Sequence, residues 1–371
     1  MSGEGGRPEP VPGERREALT ALLRRLEEAR AVVLTTHVNA DGDGAGSEAA
    51  VAAWLEQRGT TVHIVNPTPF PEEFRFVLPG DAVVAPLGAA ATREILAAAD
   101  LIFVLDTAEP KRVGKLDRWL GRGDVAVLDH HPTAEGAIQG VGLADPTAAA
   151  TGELVYDLLR IAEEEEQRKG GAARPWPPSL VEALYTAIVT DTGSFRFANT
   201  TPRVHRIVAD LLHRGVDPEK LYRRIYGTVP LSQVRLLRSA LEGLDADPEL
   251  PLTWISVPWS VARASGATSR DFDGLVEHAR SVEGTEIAIL FREVADGSTK
   301  VSLRSNGAAD VNAIARAFGG GGHVKAAGTV IGAPLTEARR QVLGAARAAL
   351  ETMGARRPRP LVLDSPGGDT A

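Results

Sequence analysis

The sequence predicts a two-domain α/β protein: an N-terminal doubly wound, mostly parallel sheet, then a smaller C-terminal α/β domain reached through a helical linker. Three observations predict it. Short β-branched runs alternate with helical periodicity through the first half of the chain, the pattern of successive βαβ units. Three of these runs, Ala31 to Leu34, Leu101 to Leu105 and Val125 to Leu128, lead within a few residues into acidic and imidazole side chains. The length, 371 residues, exceeds the roughly 250–300 at which a single hydrophobic core stops growing.

Residues 1–13 hold Gly, Pro and Glu without periodicity and are expected to be disordered, as are residues 356–371. Glu14 to Arg30 spaces its apolar residues for a helix. A strand follows over 31–36, then a helix over about 46–58, a strand from Thr61 to Val65, irregular chain over 70–80, and a helix near 92–98. The strand Leu101 to Leu105 ends on Asp106, and Val125 to Leu128 ends on Asp129, His130 and His131. Thr151 to Glu165 is helical. The charge run Glu163 to Glu166, with Gly170, Gly171, Pro175, Pro177 and Pro178 behind it, reads as a solvated surface insertion over 163–178. Ser179 is placed as the cap of a helix that ends in Thr190, Asp191, Thr192, Gly193 and Ser194, and helices at 202–214 and 217–226 close a first domain of residues 14–227.

Pro230 sits in the first turn of a helix running to Leu244, and about 15 residues at ~1.5 Å each span roughly 22 Å. Residues 228–247 are therefore read as the interdomain linker. The second domain, 248–355, holds a strand (252–257), a helix (270–280), a hairpin of Thr285 to Glu293 and Thr299 to Leu303 around Asp296 and Gly297, a helix (310–317), the run Gly319 to His323, a strand to Val330 and a helix (336–352).

Composition narrows the chemistry. The chain has no cysteine, so any metal must be held by oxygen and imidazole nitrogen, which points to Mn²⁺ or Mg²⁺ more than to structural zinc. With 41 Lys and Arg against 49 Asp and Glu, the net charge of −8 argues against a protein that coats long nucleic acid. A small phosphate substrate stays compatible, because bound cations reverse the potential of a single cleft. No apolar run reaches the roughly 20 residues of a membrane span, and Met1 to Arg16 is polar, so a cytoplasmic protein is expected.

His37, Asp41 and Asp43 lie within seven residues, with glycines at 42, 44 and 46 that let the backbone turn tightly. Taken alone, the stretch reads equally well as a polar turn whose Asp41 or Asp43 caps a helix. Parallel strands deliver their carboxyl ends to one edge, so Asp106, the Asp129–His131 run and the helix-borne Asp191 should meet the first group there. Five carboxylates and three imidazoles in one crevice repel each other without cations. Two divalent ions roughly 3.5–4 Å apart, bridged by one carboxylate, resolve that repulsion. In the second domain, Gly319 to His323 is not a Walker loop, because His-Val-Lys follows Gly322. It reads as side-chain-free backbone approaching a phosphate, with His323 and Arg304 as donors.

Together these blocks resemble the DHH phosphoesterase family, and the second domain resembles its DHHA1 domain through Leu303-Arg304-Ser305, Asp310-Val311, Gly319 to His323 and Ala326-Ala327-Gly328. The resemblance covers about residues 15–352, and within the family the chain length and two-domain layout look like those of the stand-alone oligoribonuclease and adenosine bisphosphate phosphatase members, a group that includes cyclic-dinucleotide phosphodiesterases. Ala40 departs from the proline that usually precedes the first Asp, a change that removes no ligand. The resemblance implies that His37, Asp41 and Asp106 hold one Mn²⁺ and that Asp43, Asp106, His130 and Asp191 hold the other, with Asp106 as the bridge. It implies further that Asp129 orients an imidazole, that His131 faces the substrate phosphate, and that Arg304, Ser305, Asn306, Gly320, Gly321, Gly322 and His323 contact a substrate lying between the lobes.

The expected activity is a Mn²⁺-dependent (or Mg²⁺-dependent) phosphodiesterase acting on very short RNA or linear dinucleotides, with adenosine 3′,5′-bisphosphate and cyclic di-AMP as further substrates. A single-strand DNA exonuclease of the same superfamily is the near alternative, though neither an OB-type domain nor a basic channel is visible. A non-catalytic nucleotide sensor or RNA-binding protein is the alternative of another class. The resemblance also implies a homodimer. His63, His205, His213 and His278 read as structural, as do Trp54, Trp119, Trp254 and Trp259. Phe195 and Arg196 lie just past the Asp191 turn, where a nucleobase contact is an option behind a structural role.

Overall fold

The computed structural model describes residues 10–357 apart from 81–82, 86, 89, 122, 133–135 and 273. The disorder expected for 1–13 and 356–371 falls largely outside the described residues. Where the chain is described it is engaged: Val11 is buried and the Pro10 carbonyl accepts from Arg203. The chain divides into two compact units between Thr228 and Val229.

The first unit runs α1 (Gly13–Glu28), β1 (Ala31–Thr35), α2 (Gly42–Glu56), β2 (Thr61–Ile64), β3 (Val83–Val84), α3 (Ala90–Ala98), β4 (Leu101–Leu105), α4 (Asp117–Leu120), β5 (Asp124–Asp129), β6 (Val141–Ala144), α5 (Thr151–Arg168), α6 (Pro178–Asp191), α7 (Pro202–His213) and α8 (Pro218–Ile225). Glu72–Val77 and Pro110–Leu116 are 3₁₀ segments. The sheet order is β3-β2-β1-β4-β5-β6 and every pairing is parallel. Strand order reverses between β1 and β4, so the crevice of a doubly wound sheet opens at their carboxyl ends. His37 follows one of these strands and Asp106 the other.

Helix α2 is buried on nearly every side and sits in the middle of the core, packed on α5 and α6. Gly46 permits that approach, since a Cβ there would lie 2.6 Å from the Ala183 carbonyl oxygen of α6. The helix begins four residues before its expected start because Asp41 is its cap: one carboxylate oxygen accepts from the Asp43 and Gly44 amides at 3.0 and 3.2 Å.

Three other expectations are corrected here. The glutamate run is not a solvated insertion: α5 continues to Arg168, and Glu163, Glu164 and Glu166 pair with Arg214, Arg16 and Arg58. Opposite charges from three distant segments fix what the sequence presents as a bare acidic face. Ser179 is not a cap; Pro177 occupies that position and makes no side-chain cap. Strand β6 was not expected, because its four half-buried residues carry neither β-branching in a run nor alternation.

The second unit runs α9 (Leu231–Glu242), β7 (Leu244–Ala246), β8 (Leu252–Val257), α10 (Trp259–Ser265), α11 (Leu275–Arg280), β9 (Ile287–Glu293), β10 (Thr299–Ser305), α12 (Val311–Arg316), β11 (Gly321–His323), β12 (Ala326–Ile331) and α13 (Leu335–Thr352). Its sheet order is β11-β12-β10-β9-β8-β7, antiparallel except for β8 with β9. Helix α9 is not a free spacer. Leu236 and Ala240 are buried with Ile255 and Val257 of β8, and the chain then turns into β7. The expected helix 270–280 is a 3₁₀ turn at Arg270–Phe272 followed by α11. The glycine run, given no secondary structure from the sequence, ends as the edge strand β11.

Candidate metal centre

The carboxyl edge of the first sheet brings His37, Asp41, Asp43, Asp106, His130, His131 and Asp191 together. Ligand-type atoms fall into three groups, each within 4.8 Å: His37 with Asp41 and Asp106; Asp43 with His130 and Asp191; and Asp106 with His130 and His131. Asp106 belongs to two of the three. Its Oδ2 lies 3.3 Å from His37 Nε2, while its Oδ1 lies 3.6 Å from His130 Nε2 and 3.7 Å from His131 Nδ1. One carboxylate therefore faces two groups of ligands with different oxygens. Its backbone is left-handed (φ 63°), and Thr151 Oγ1 donates to Oδ1 at 2.9 Å. A non-glycine residue in that region is held there by its surroundings.

Asp43 is fixed by the start of α5, whose Thr151 and Gly152 amides donate to its two oxygens at 2.6 and 2.8 Å. Free N–H groups of a helix N-terminus suit a carboxylate. His130 Nε2 stands 3.7, 3.6 and 3.6 Å from oxygens of Asp43, Asp106 and Asp191, too long for direct hydrogen bonds. Asp129 binds elsewhere: one oxygen accepts from the Ala108 amide at 2.7 Å, the other from His131 Nδ1 at 2.8 Å and the His131 amide at 3.0 Å. The imidazole it orients is thus that of His131.

Electrostatics fit a cation. Burial, then the charges of Asp106, Asp191 and Asp41, push the Asp43 carboxyl well above the carboxylate range. Burial, Asp41, Asp129 and Asp191 do the same to Asp106, against the Thr151 hydrogen bond. Burial and then Asp41 push Asp191 up to about 6. Burial and the neighbouring His131 lower His130. Burial would raise Asp129, but the His131 bonds and the Ala108 amide outweigh it and hold that carboxyl low. Among the described residues, no lysine or arginine pairs with the four acids of this crevice.

The donor atoms make the same point. His37 Nδ1 lies 2.9 Å from the Val38 carbonyl, which accepts only from a protonated Nδ1, so in the neutral ring Nε2 carries a lone pair. That Nε2 is buried without a hydrogen-bond partner and faces the Asp106 carboxylate. Two lone pairs facing each other need a cation between them. The residues present fit bound divalent metal.

Behind the ligands, Asn66 Oδ1 accepts from the Thr36 amide at 3.2 Å and its amide nitrogen donates to Glu48 at 2.9 Å. Glu48 is wholly buried and is pushed up to about 8 by burial, against that hydrogen bond. Sequence reasoning missed this brace; its signal was a polar Asn two residues past β2, beside the end of β1.

In the second unit, Arg304 and His323 are both in register with Ala326, on the strands flanking β12. Directly opposed residues share a face, so the arginine and the histidine flank a small residue across two strand spacings of about 4.8 Å each. Two of the glycines answer to the sheet: a Cβ at Gly320 would lie 2.2 Å from the Gly328 carbonyl, and Gly322 combines φ 147° with backbone 2.5 Å away. Ser305 is buried. Asn306 is corrected from substrate contact to staple, because its amide donates to the Arg280 and Thr285 carbonyls and accepts from the Arg280 side chain.

A profile of the DHH family, N-terminal domain, matches residues 31–188, and one of the DHHA1 domain matches residues 256–352. A Thermus thermophilus protein named bifunctional oligoribonuclease and PAP phosphatase NrnA is 33% identical over 355 residues, covering 95% of this chain and 99% of its own length. The chain belongs to the DHH phosphoesterase family. That membership makes it a hydrolase of phosphoester bonds. The Bacillus subtilis protein of the same name is 26% identical over 84% of this chain and 93% of its own. A Bacteroides fragilis exopolyphosphatase-related protein of known structure aligns with TM-score 0.79 at 24% identity, over 91% of this chain and 96% of its own, and shares the fold. Among the described residues no helix is long and apolar enough to cross a membrane.

Proposed function

We propose that this DHH phosphoesterase uses two divalent cations, Mn²⁺ before Mg²⁺, to hydrolyse short oligoribonucleotides and linear dinucleotides to mononucleotides, and that it also dephosphorylates adenosine 3′,5′-bisphosphate. His37, Asp41 and Asp106 would hold one ion; Asp43, Asp106, His130 and Asp191 the other. Such a pair supplies a water nucleophile at neutral pH and offsets charge on the phosphoryl oxygens. The observation that carries the reading is Asp106, which turns one oxygen to each ligand group.

The chain's own side chains do the rest. Asp129 fixes His131 through Nδ1, which leaves Nε2 of that ring to face the scissile phosphate. Arg304 and His323, with the backbone of Gly320, Gly321 and Gly322, take part in holding substrate phosphate. Support for the substrate class comes from the Thermus relative, which is alike over nearly the full length of both chains. Cyclic di-AMP is a third substrate, supported by a Geobacillus thermodenitrificans relative named cyclic-di-AMP phosphodiesterase GdpP, 26% identical over 67% of this chain and 36% of its own length. A homodimer working in the cytoplasm completes the proposal, and sedimentation of the purified protein checks its assembly.

The test is turnover of 5′-phosphorylated diadenylate, adenosine bisphosphate and cyclic di-AMP with Mn²⁺, for wild type and Asp106→Ala. Diadenylate cleavage that is abolished in the variant is expected. Binding of the three ligands without turnover by wild type would overturn the reading in favour of a sensor, and preference for long single-stranded DNA would favour an exonuclease.

A further inference from the structure

The turn that follows Asp191 is the most strained segment among the described residues. Gly193, Ser194 and Phe195 are left-handed in succession, with φ of 55°, 58° and 65°. Two of these carry side chains, one of them a bulky aromatic ring, for which the region is a genuine outlier. The turn is locked in place: Ser194 N donates to the Val189 carbonyl at 2.8 Å, while Arg196 N and Phe197 N donate to the Thr192 carbonyl at 3.0 and 3.1 Å. Arg196 Nε adds a bond to the Gly193 carbonyl at 2.6 Å, and Asn199 ties the Asp191 carbonyl to that of Ala149.

The locked turn puts its two phenylalanines in opposite environments. Phe195 packs inward, edge-on to Tyr185 with ring centres 6.5 Å apart and 5.4 Å from the His205 ring. Phe197 stays in water at 57% exposure, the one exposed phenylalanine among the described residues. Its ring lies over Gly193: a Cβ on that glycine would meet three ring carbons at 2.4–2.6 Å. Gly193 is two residues past Asp191, so its Cα is within about 7.6 Å of that of Asp191 at 3.8 Å per trans peptide. Asp191 carries one of the oxygens facing His130.

We propose that Phe197 is a stacking platform for a nucleobase of the substrate, the base of a nucleotide whose phosphate sits at the Asp191 end of the ligand cluster. Strain accepted next to a ligand and held by many bonds marks a position selected for what it presents. What it presents is an aromatic face backed by a residue with no side chain, open on the other side. Every base has a π-face, so such a platform accepts short RNA of any sequence. The specificity it adds is for nucleotides over simple phosphate esters. It rests on the phosphodiesterase reading above, and it replaces Phe195 and Arg196 as the base contact.

The experiment uses the full chain with Mn²⁺ and four variants of one substrate: 5′-phosphorylated diadenylate, the two versions lacking one or the other base, and one carrying 2-aminopurine. Phe197→Ala is expected to lower kcat/KM on diadenylate at least tenfold, mainly through KM. That loss should shrink below twofold on one of the two abasic substrates, and Phe197→Trp should restore it. Phe197→Leu, which keeps apolar cover over Gly193, should behave as the alanine variant. An equal loss on all substrates, a loss reversed by leucine, or a change of oligomeric state in Phe197→Ala would overturn the platform, since each marks a structural or interface role. Quenching of 2-aminopurine by wild type but not by Phe197→Ala reports stacking even if no bond is cut. Absence of turnover with quenching present would therefore sink the phosphodiesterase reading and leave the platform standing; turnover without a Phe197 effect would do the reverse.

Discussion

The edge of the first sheet and the glycine edge of the second carry polar groups in opposite ways. In the first unit Asp43 and Asp106 are buried among like charges that raise their pKa values, with a lone pair of His37 left facing a carboxylate. In the second, β11 is exposed, and Arg304 and His323 stand on one sheet face with only Ala326 between them. The first arrangement is costly until cations arrive; the second costs the fold little. Chemistry on a phosphoryl group needs dense charge shielded from water, whereas holding a phosphate needs only accessible donors.

The sharpest way to break this contrast is Asp106→Asn. Activity with Mn²⁺ should fall by about 10³-fold or more, the scale of losing a shared metal ligand. The chelated protein should melt roughly 2–4 °C higher, because one buried like charge is gone. A lower melting temperature in EDTA would mean that the carboxylate cluster is not the strained region.

Glu48 tests the same cost outside the ligand set. Its folded pKa of about 8 stands above the ordinary 4.5, so the stability it contributes is present below 4.5 and is lost as pH rises through 8. Glu48→Gln should therefore gain over wild type as pH rises from 5.5 to 8.5, by on the order of 3 kcal/mol at the top of that range. Denaturant melts at several pH values measure it; a pH-independent difference would refute the assignment.

Metal should reverse the first unit's deficit. At a hundredfold excess over Kd, Mn²⁺ should add about 2.7 kcal/mol of stability. Asp191 titrates at about 6, so proton release on binding should grow, and affinity should fall, as pH drops below that value. Calorimetry in buffers of different ionisation enthalpy reads the proton count. The smallest effect belongs to the second unit: Arg304→Ala should raise KM about tenfold and leave Mn²⁺ affinity unchanged, as titrated by the same calorimetry. A loss of metal affinity there would dissolve the contrast.

Much of this was legible from residue order, because a parallel sheet converts sequence position after a strand into position on one edge. His37, Asp106 and His130 needed nothing more. What stayed hidden depends on partners far away in the chain. The acidic run of α5 looks solvated until Arg16, Arg58 and Arg214 meet it. Helix α9 looks like a spacer until Leu236 and Ala240 find β8. Asn306 looks like a donor until Arg280 and Thr285 occupy it. Phe195 and Phe197 are two residues apart, and only the left-handed turn over Gly193, Ser194 and Phe195 decides which one faces water. Trp259 differs in a similar way, lying partly exposed where a core residue was expected.

Asp41 illustrates how the ligand loop is built. One of its oxygens caps α2 while the other lies 3.8 Å from His37, and Asp43 and Asp106 are likewise anchored by α5. Because the protein itself grips every one of these carboxylates, the cradle exists before any ion enters it. Loading and exchange of a divalent metal would then be events of a finished fold, answering to the metal supply without any need to unfold and start again.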